Sequence, residues 1–144
     1  MNDLLLLSGP NLDLLGTRSP DIYGTATLAE HVARAEAVAA RYNLGISHLQ
    51  SNFEGVLIEA VHAARGNAAA IIINAGALTH TSWALSDALA IFEGPKVEVH
   101  LSNPAAREPY RHTSTLAPVV NGSIAGFGGL SYEVAVRAVA ALLS

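Results

Sequence analysis

The sequence predicts an α/β domain, a parallel sheet covered by helices on both faces. Three observations predict it. Short apolar runs alternate with amphipathic helical patterns along the whole chain. One run, residues 69–73, is continuously apolar, as suits a strand buried on both sides. Polar clusters rich in Gly, Asn, Ser and His follow the ends of the runs, where open α/β sheets hold their ligands.

The elements follow in order. Residues 4–7, four consecutive leucines, form strand one. A helix covers 28–42, where Leu28, Val32, Ala35, Val38, Ala39 and Tyr42 recur at helical spacing. Thr27 caps its start and Gly45 follows its end. Residues 46–50 are strand two. A second helix, 54–65, is stopped by Gly66. Strand three is 69–73, and a third helix over 79–92 ends at Gly94-Pro95. Residues 97–101 are strand four. Residues 119–125, interrupted by Asn121-Gly122, are strand five. A closing helix spans 132–143. Five strands in this length fit a three-layer sandwich with strand order 2-1-3-4-5, the flavodoxin-like arrangement. The chain reads as one domain over 1–144.

Charged residues are only 14% of the chain, against 51% hydrophobic. Soluble domains carry roughly 25% charge, so part of this surface is expected to be buried against other copies of the chain. The net charge of −4, with no lysine or arginine block, disfavours nucleic acid and anionic membrane as partners. The absence of cysteine excludes disulfides, a thiolate nucleophile and cysteine-ligated metal. No secretion signal is visible and no apolar run reaches the ~20 residues of a membrane helix. A soluble, cytoplasmic protein is expected.

The first strand opens into a long polar loop that runs to Gly24 and carries Asn11, Arg18 and Tyr23. Connections in α/β domains have a median of roughly 4–6 residues; longer ones are lids, binding loops or disordered segments. Strand three ends at Asn74, ahead of Thr79-His80-Thr81-Ser82. Strand four ends at His100-Leu101-Ser102-Asn103, and strand five at Gly126-Phe127-Gly128-Gly129. Strands one, three and four are neighbours in the expected order, so their polar ends converge on one crevice.

Each feature also has a plainer reading. Gly9-Pro10-Asn11 is turn chemistry, and Asn74 and Thr79 are capping types. Tyr23 could pack as a half-buried aromatic, and Arg18 and Arg111 could be surface charges. His100 could be a core histidine. Asp87, seven residues after His80, would share its helical face two turns on, or be a solvated side chain. His31, His48, His62 and His112 have no partners at informative spacing and read as structural or exposed. The Gly126-x-Gly128-x-x-Ser131 run lacks the third glycine of a dinucleotide fingerprint, and the chain ends before an acidic ribose ligand could follow.

Four ordered blocks resemble the type II 3-dehydroquinate dehydratases. They are Gly-Pro-Asn-Leu-Asp-Leu-Leu-Gly-Thr-Arg-Ser-Pro-Asp-Ile-Tyr-Gly at 9–24, Gln-Ser-Asn-Phe-Glu-Gly at 50–55, Ile-Asn-Ala-Gly-Ala-Leu-Thr-His-Thr-Ser at 73–82 and Glu-Val-His-Leu-Ser-Asn at 98–103. The resemblance implies trans-dehydration of 3-dehydroquinate to 3-dehydroshikimate through an enolate. It makes Tyr23 the base, with the Arg18 guanidinium stabilising its phenolate. His100 becomes the acid that protonates the departing hydroxyl, and Asn11 the holder of the oxygen that stabilises the enolate. Asn74 and the Leu101-Ser102 backbone would bind the substrate carboxylate; His80, Asp87 and Arg111 its hydroxyls. Glu98 would orient His100, and Arg107 would close over the site. The family uses no metal and no organic cofactor. It is typically a dodecamer built from trimers, in which the Asp87 position reaches a neighbouring site. Residues 11–24 would be the active-site lid.

The chain departs from the family pattern at several positions. Ser8, Asp13 and Ser19 stand where Asn, Asn and Glu are common. Phe53 replaces a usual His, Ala75 a usual Pro, and Leu78 a common aromatic. Two other functions fit the residues less well. A metal-dependent hydrolase would use His80, Asp87 and His100 as ligands. A nucleotide- or flavin-binding module of the same fold would leave Tyr23, Arg18 and His100 idle.

Overall fold

A computed structural model describes residues 2–144. Five strands, β1 (Asp3–Ser8), β2 (Gly45–Gln50), β3 (Ala70–Asn74), β4 (Lys96–His100) and β5 (Gly122–Ala125), form one parallel sheet in the order β2-β1-β3-β4-β5. The expected order is the observed one.

Alternation along the strands builds two cores. Leu4 and Leu6 of β1, Ala70 and Ile72 of β3, and Val97 and Val99 of β4 face one layer. That layer consists of α2 (Leu28–Ala40) and α5 (Leu130–Leu143). Leu7, Ile71 and Ile73 face the other, made by α3 (Glu54–Ala64) and α4 (Trp83–Ile91). β3 lies at the centre, and Ala70–Asn74 is buried along its whole length. The uninterrupted apolar run is thus explained: every side chain of β3 meets a helical layer. Cutting Ile71, Ile72 or Ile73 to alanine would cost about 2–5 kcal/mol through lost burial and the cavity left behind.

The period-two rule also fixes where the polar strand residues point. Val97 and Val99 face α2 and α5, so Glu98 and His100 face the opposite side of β4. Among the described residues no helix is long and apolar enough to cross a membrane.

The helix boundaries hold some corrections. α2 ends at Ala40, not at 42, because Asn43 turns into the left-handed region at φ 58°. Tyr42 is left outside and exposed. The helix expected over 79–92 is two elements. A 3-10 turn covers Gly76–His80, and α4 starts only at Trp83. Ser82 makes the break: its Oγ accepts the Leu85 N–H and caps α4. Strand five is shorter than 119–125, since Ala117–Val119 forms a turn of its own. The loop after β1 is not featureless. It contains a 3-10 turn, Leu12–Leu14, and a single helical turn, α1 (Pro20–Tyr23), with Pro20 at its first position.

Candidate active site

The carboxyl ends of β3 and β4, the loop after β1 and the segment after β4 line a cleft. Arg18, Tyr23, Asn74, His80, His100, Leu101, Ser102, Arg107 and Arg111, all named from the sequence, line it. Strand order brings most of these ends together. Gly9 permits the closest approach, for a Cβ there would lie 2.3 Å from the Ala75 carbonyl oxygen. Its N–H instead reaches the Asn74 carbonyl at 2.8 Å.

Tyr23 ends α1, half-buried. Two cations surround it. The Arg107 Nη1 donates to its hydroxyl oxygen at 2.9 Å and to Ser102 Oγ at 3.2 Å. The Arg18 guanidinium lies 4.2 Å from the ring centroid, on its face. Positive charge is therefore supplied both at the oxygen and over the ring. The sequence offered Arg18 as the charge beside Tyr23; the guanidinium that reaches the oxygen belongs to Arg107. His112, read from the sequence as structural or exposed, supports it: its Nε2 donates to the Arg107 carbonyl at 2.9 Å.

His100 ends β4, and its Nε2 meets Glu98 Oε2 at 2.7 Å. Glu98 is 1% exposed. Burial alone would push its carboxyl up, but hydrogen bonds and charge from His100, with hydroxyls of Ser114 and Thr79, outweigh it and hold the group below its ordinary value. Glu98 is thus a buried anion, and an anion only accepts. His100 must present a proton on Nε2, which leaves Nδ1 as its working atom. Neither Ser114 nor Ser123, which also contacts Glu98, was singled out from the sequence. The register carried a signal for one of them, since Ser123 is the direct cross-strand partner of Glu98.

Asn74 is buried at the end of β3. Its Nδ2 donates to the Tyr132 hydroxyl at 3.0 Å and its Oδ1 accepts the Gly76 N–H at 3.2 Å. Burial pushes the Tyr132 phenol up to about 12, against the opposing hydrogen bonds of Asn74 and Ser8, so it stays neutral. His80 Nδ1 lies 2.8 Å from the Thr113 carbonyl and must donate to it, leaving Nε2 as an acceptor. Arg111 pairs with Glu108 and donates to the Tyr110 hydroxyl at 3.2 Å.

Three named residues lie off the cleft wall. Glu98 stands behind His100. Asn11 is exposed, left-handed at φ 69°, and its N–H is held by Asn52 Oδ1 at 2.9 Å. Gln50 ties the same loop base through Gly9 O at 3.1 Å and Asn52 Oδ1 at 3.2 Å. The block at 50–55 therefore anchors the loop after β1. Asp87 is exposed on α4 and is not on the face of a helix shared with His80, since the break at Thr81-Ser82 separates them. Among the described residues no three His, Cys, Asp or Glu side chains gather to hold a metal, so the His80, Asp87 and His100 set is not assembled within one chain.

Comparison with known proteins agrees with this fold. The model of the family Dehydroquinase class II matches residues 2–140. The 3-dehydroquinate dehydratase of Ruegeria pomeroyi is 52% identical over 144 residues, covering 100% of this chain and 97% of that protein. A catabolic 3-dehydroquinase of Phaeosphaeria nodorum is 52% identical over 134 residues, 93% of this chain and 88% of the relative. The crystal structure of type II dehydroquinase from Propionibacterium acnes superimposes with a TM-score of 0.93 at 38% identity, covering 98% of this chain and 97% of that one. That from Butyrivibrio crossotus gives 0.92 at 39% identity, with 95% and 96% covered. With the family model spanning all but the chain ends and half of the residues shared with such relatives, the chain belongs to the class II dehydroquinase family.

Proposed function

We propose that this protein dehydrates 3-dehydroquinate to 3-dehydroshikimate by a trans elimination through an enolate. One observation carries the reading: Tyr23 and His100 line the same cleft, the Tyr23 hydroxyl on the Arg107 guanidinium and His100 on the Glu98 carboxylate. Such an elimination needs a base at the carbon beside the ketone and an acid at the departing hydroxyl. Tyr23, as phenolate beside Arg107 and Arg18, takes the proton. The electron pair moves onto the ketone oxygen, where Asn11 acts through a held water. The enolate then expels the hydroxyl group, which leaves as water with a proton from His100 Nδ1. Glu98 stabilises the imidazolium that donates it. Asn74 and the Leu101-Ser102 backbone bind the carboxylate; His80 and Arg111 bind hydroxyls.

The 1–144 chain acts as a single catalytic domain in the cytoplasm, with residues 11–24 as its lid. It needs no metal or organic cofactor. The active form is a homo-oligomer, a dodecamer of trimers, in which Asp87 completes a neighbouring site. Support comes from α4 itself: Trp83 is 71% and Ile91 50% exposed there, on the helix that carries an exposed Asp87 outside its own cleft lining.

The test is an ultraviolet assay on 3-dehydroquinate with the assembled protein. The conjugated enone of the product should appear at the wild-type enzyme alone, without added metal. Flat absorbance, or activity abolished by chelator and restored by metal, would reject the reading.

A further inference from the structure

The acid half of the site rests on hydroxyl groups that the reaction itself does not use. Glu98 is buried in β4, and three other segments turn a hydroxyl toward its carboxylate. Thr79, in the 3-10 turn after β3, donates to Oε2 at 3.1 Å. Ser114 lies 2.9 Å from both Oε1 and Oε2. Ser123 of β5 lies 3.3 Å from Oε1. Among the described residues, the one ionisable group that bears on this carboxylate is His100.

Ser114 has a property the other two lack. Its oxygen already accepts two backbone N–H groups, from Leu116 at 3.1 Å and Ala117 at 3.0 Å. A hydroxyl has two lone pairs and one proton. With the lone pairs engaged, the proton has one direction left, toward Glu98, shared between the two carboxylate oxygens. The backbone thus fixes the polarity of the bond. A protonated carboxyl would place its own proton against that of Ser114 or His100. With Thr79 and Ser123 donating as well, the arrangement is that of ionised Glu98 with a proton on His100 Nε2.

We propose that Ser114 is a positioning residue for the acid step, holding Glu98 as an acceptor and so keeping His100 Nδ1 turned to the substrate, with Thr79 and Ser123 completing the clamp. The inference rests on the reading of His100 as the acid. Ser114 touches no substrate; it acts through Glu98. Its loss leaves the Glu98 carboxylate free to turn and lets the His100 proton exchange between Nε2 and Nδ1, so the acid step slows.

The experiment compares wild type, Ser114→Ala, Ser114→Thr and Thr79→Val on 3-dehydroquinate across pH, with ring-15N-labelled histidine read by NMR in the same proteins. Ser114→Ala should lower kcat about 10-fold, the size expected for one hydrogen bond to a charged group. KM should change less than twofold. Ser114→Thr, which restores the hydroxyl, should restore kcat. Thr79→Val keeps the side-chain shape and serves as the reading if Ser114→Ala does not assemble. Neutral His100 should carry its proton on Nε2 in wild type and as a mixture of tautomers in Ser114→Ala or Thr79→Val. A wild-type His100 protonated on Nδ1, or variants with the wild-type kcat and tautomer, would overturn the proposal. The NMR arm is independent of turnover. A wild type without activity on 3-dehydroquinate would sink the functional reading while the tautomer still decides the clamp.

Discussion

The proposed acid and the proposed base of this site are held in opposite ways. His100 stands at the end of β4, on a carboxylate that is 1% exposed and takes hydrogen bonds from β4, β5, the turn after β3 and the segment between β4 and β5. Tyr23 stands on a single helical turn inside a loop, and its hydroxyl is met by an arginine 84 residues further on. The sheet fixes the acid; two loops meeting over the cleft fix the base. The difference places adaptability on one side. The acid can be tuned without moving, whereas the base is in position only while the loop after β1 and the segment bearing Arg107 are together.

The largest expected effects fall on the two reacting groups. Tyr23→Phe and His100→Ala should each cut kcat by about 10³-fold, within the 10²–10⁴ range of a positioned acid or base, with the circular dichroism spectrum unchanged. Near-native turnover in either would break the comparison outright. Arg107→Gln should be nearly as severe, about 10²-fold in kcat, since it removes the donor to the Tyr23 oxygen. If the base is held by loop contacts, it should also release residues 11–24 to faster hydrogen exchange while leaving β4 protected. Equal exchange in both regions would remove the distinction drawn here.

Glu98→Gln sharpens the comparison from the side of stability. The Glu98 carboxyl is held below its ordinary 4.5 in the folded chain. A group so lowered stabilises the fold fully above that ordinary value. The contribution is lost as pH falls below 4.5 and through the folded value. Acid unfolding of wild type should therefore lose stability over that window, and Glu98→Gln should show a flatter dependence there. The same change should lower kcat. An unchanged acid transition would mean that Glu98 is not held as an anion.

The smallest effect concerns Ala75, where the family commonly has proline. Ala75 sits at φ −79°, within reach of a proline ring, and follows a residue in extended β3. Ala75→Pro should raise stability by about 0.4–1 kcal/mol through the unfolded state, a rise in Tm of a few degrees at most. A fall in Tm would show that the turn after β3 needs the Ala75 N–H or the space beside it.

Much of this was legible in the sequence because parallel sheets write themselves plainly. Four leucines, three isoleucines and the Val-Glu-Val alternation mark β1, β3 and β4 and which residues face which layer. Glu98 and His100, two apart on a strand, had to share a face. The break before α4 was not legible, because Thr81-Ser82 interrupts a pattern whose apolar spacing continues across it. Arg107 on Tyr23 was not legible from composition or spacing either, since no local rule relates positions 84 apart. The resemblance to a family named both residues; only the fold shows that one donates to the other. Asp87 illustrates the reverse case, a residue with an assigned role and no partner within its own cleft.

The division of labour can be measured directly. Incubated in D2O with 3-dehydroquinate, His100→Ala should still exchange the hydrogen beside the ketone, because Tyr23 forms the enolate, while failing to release product. Tyr23→Phe should do neither. Exchange by Tyr23→Phe at the wild-type rate, or none by a folded His100→Ala, would contradict a base carried by the loop and an acid carried by the sheet.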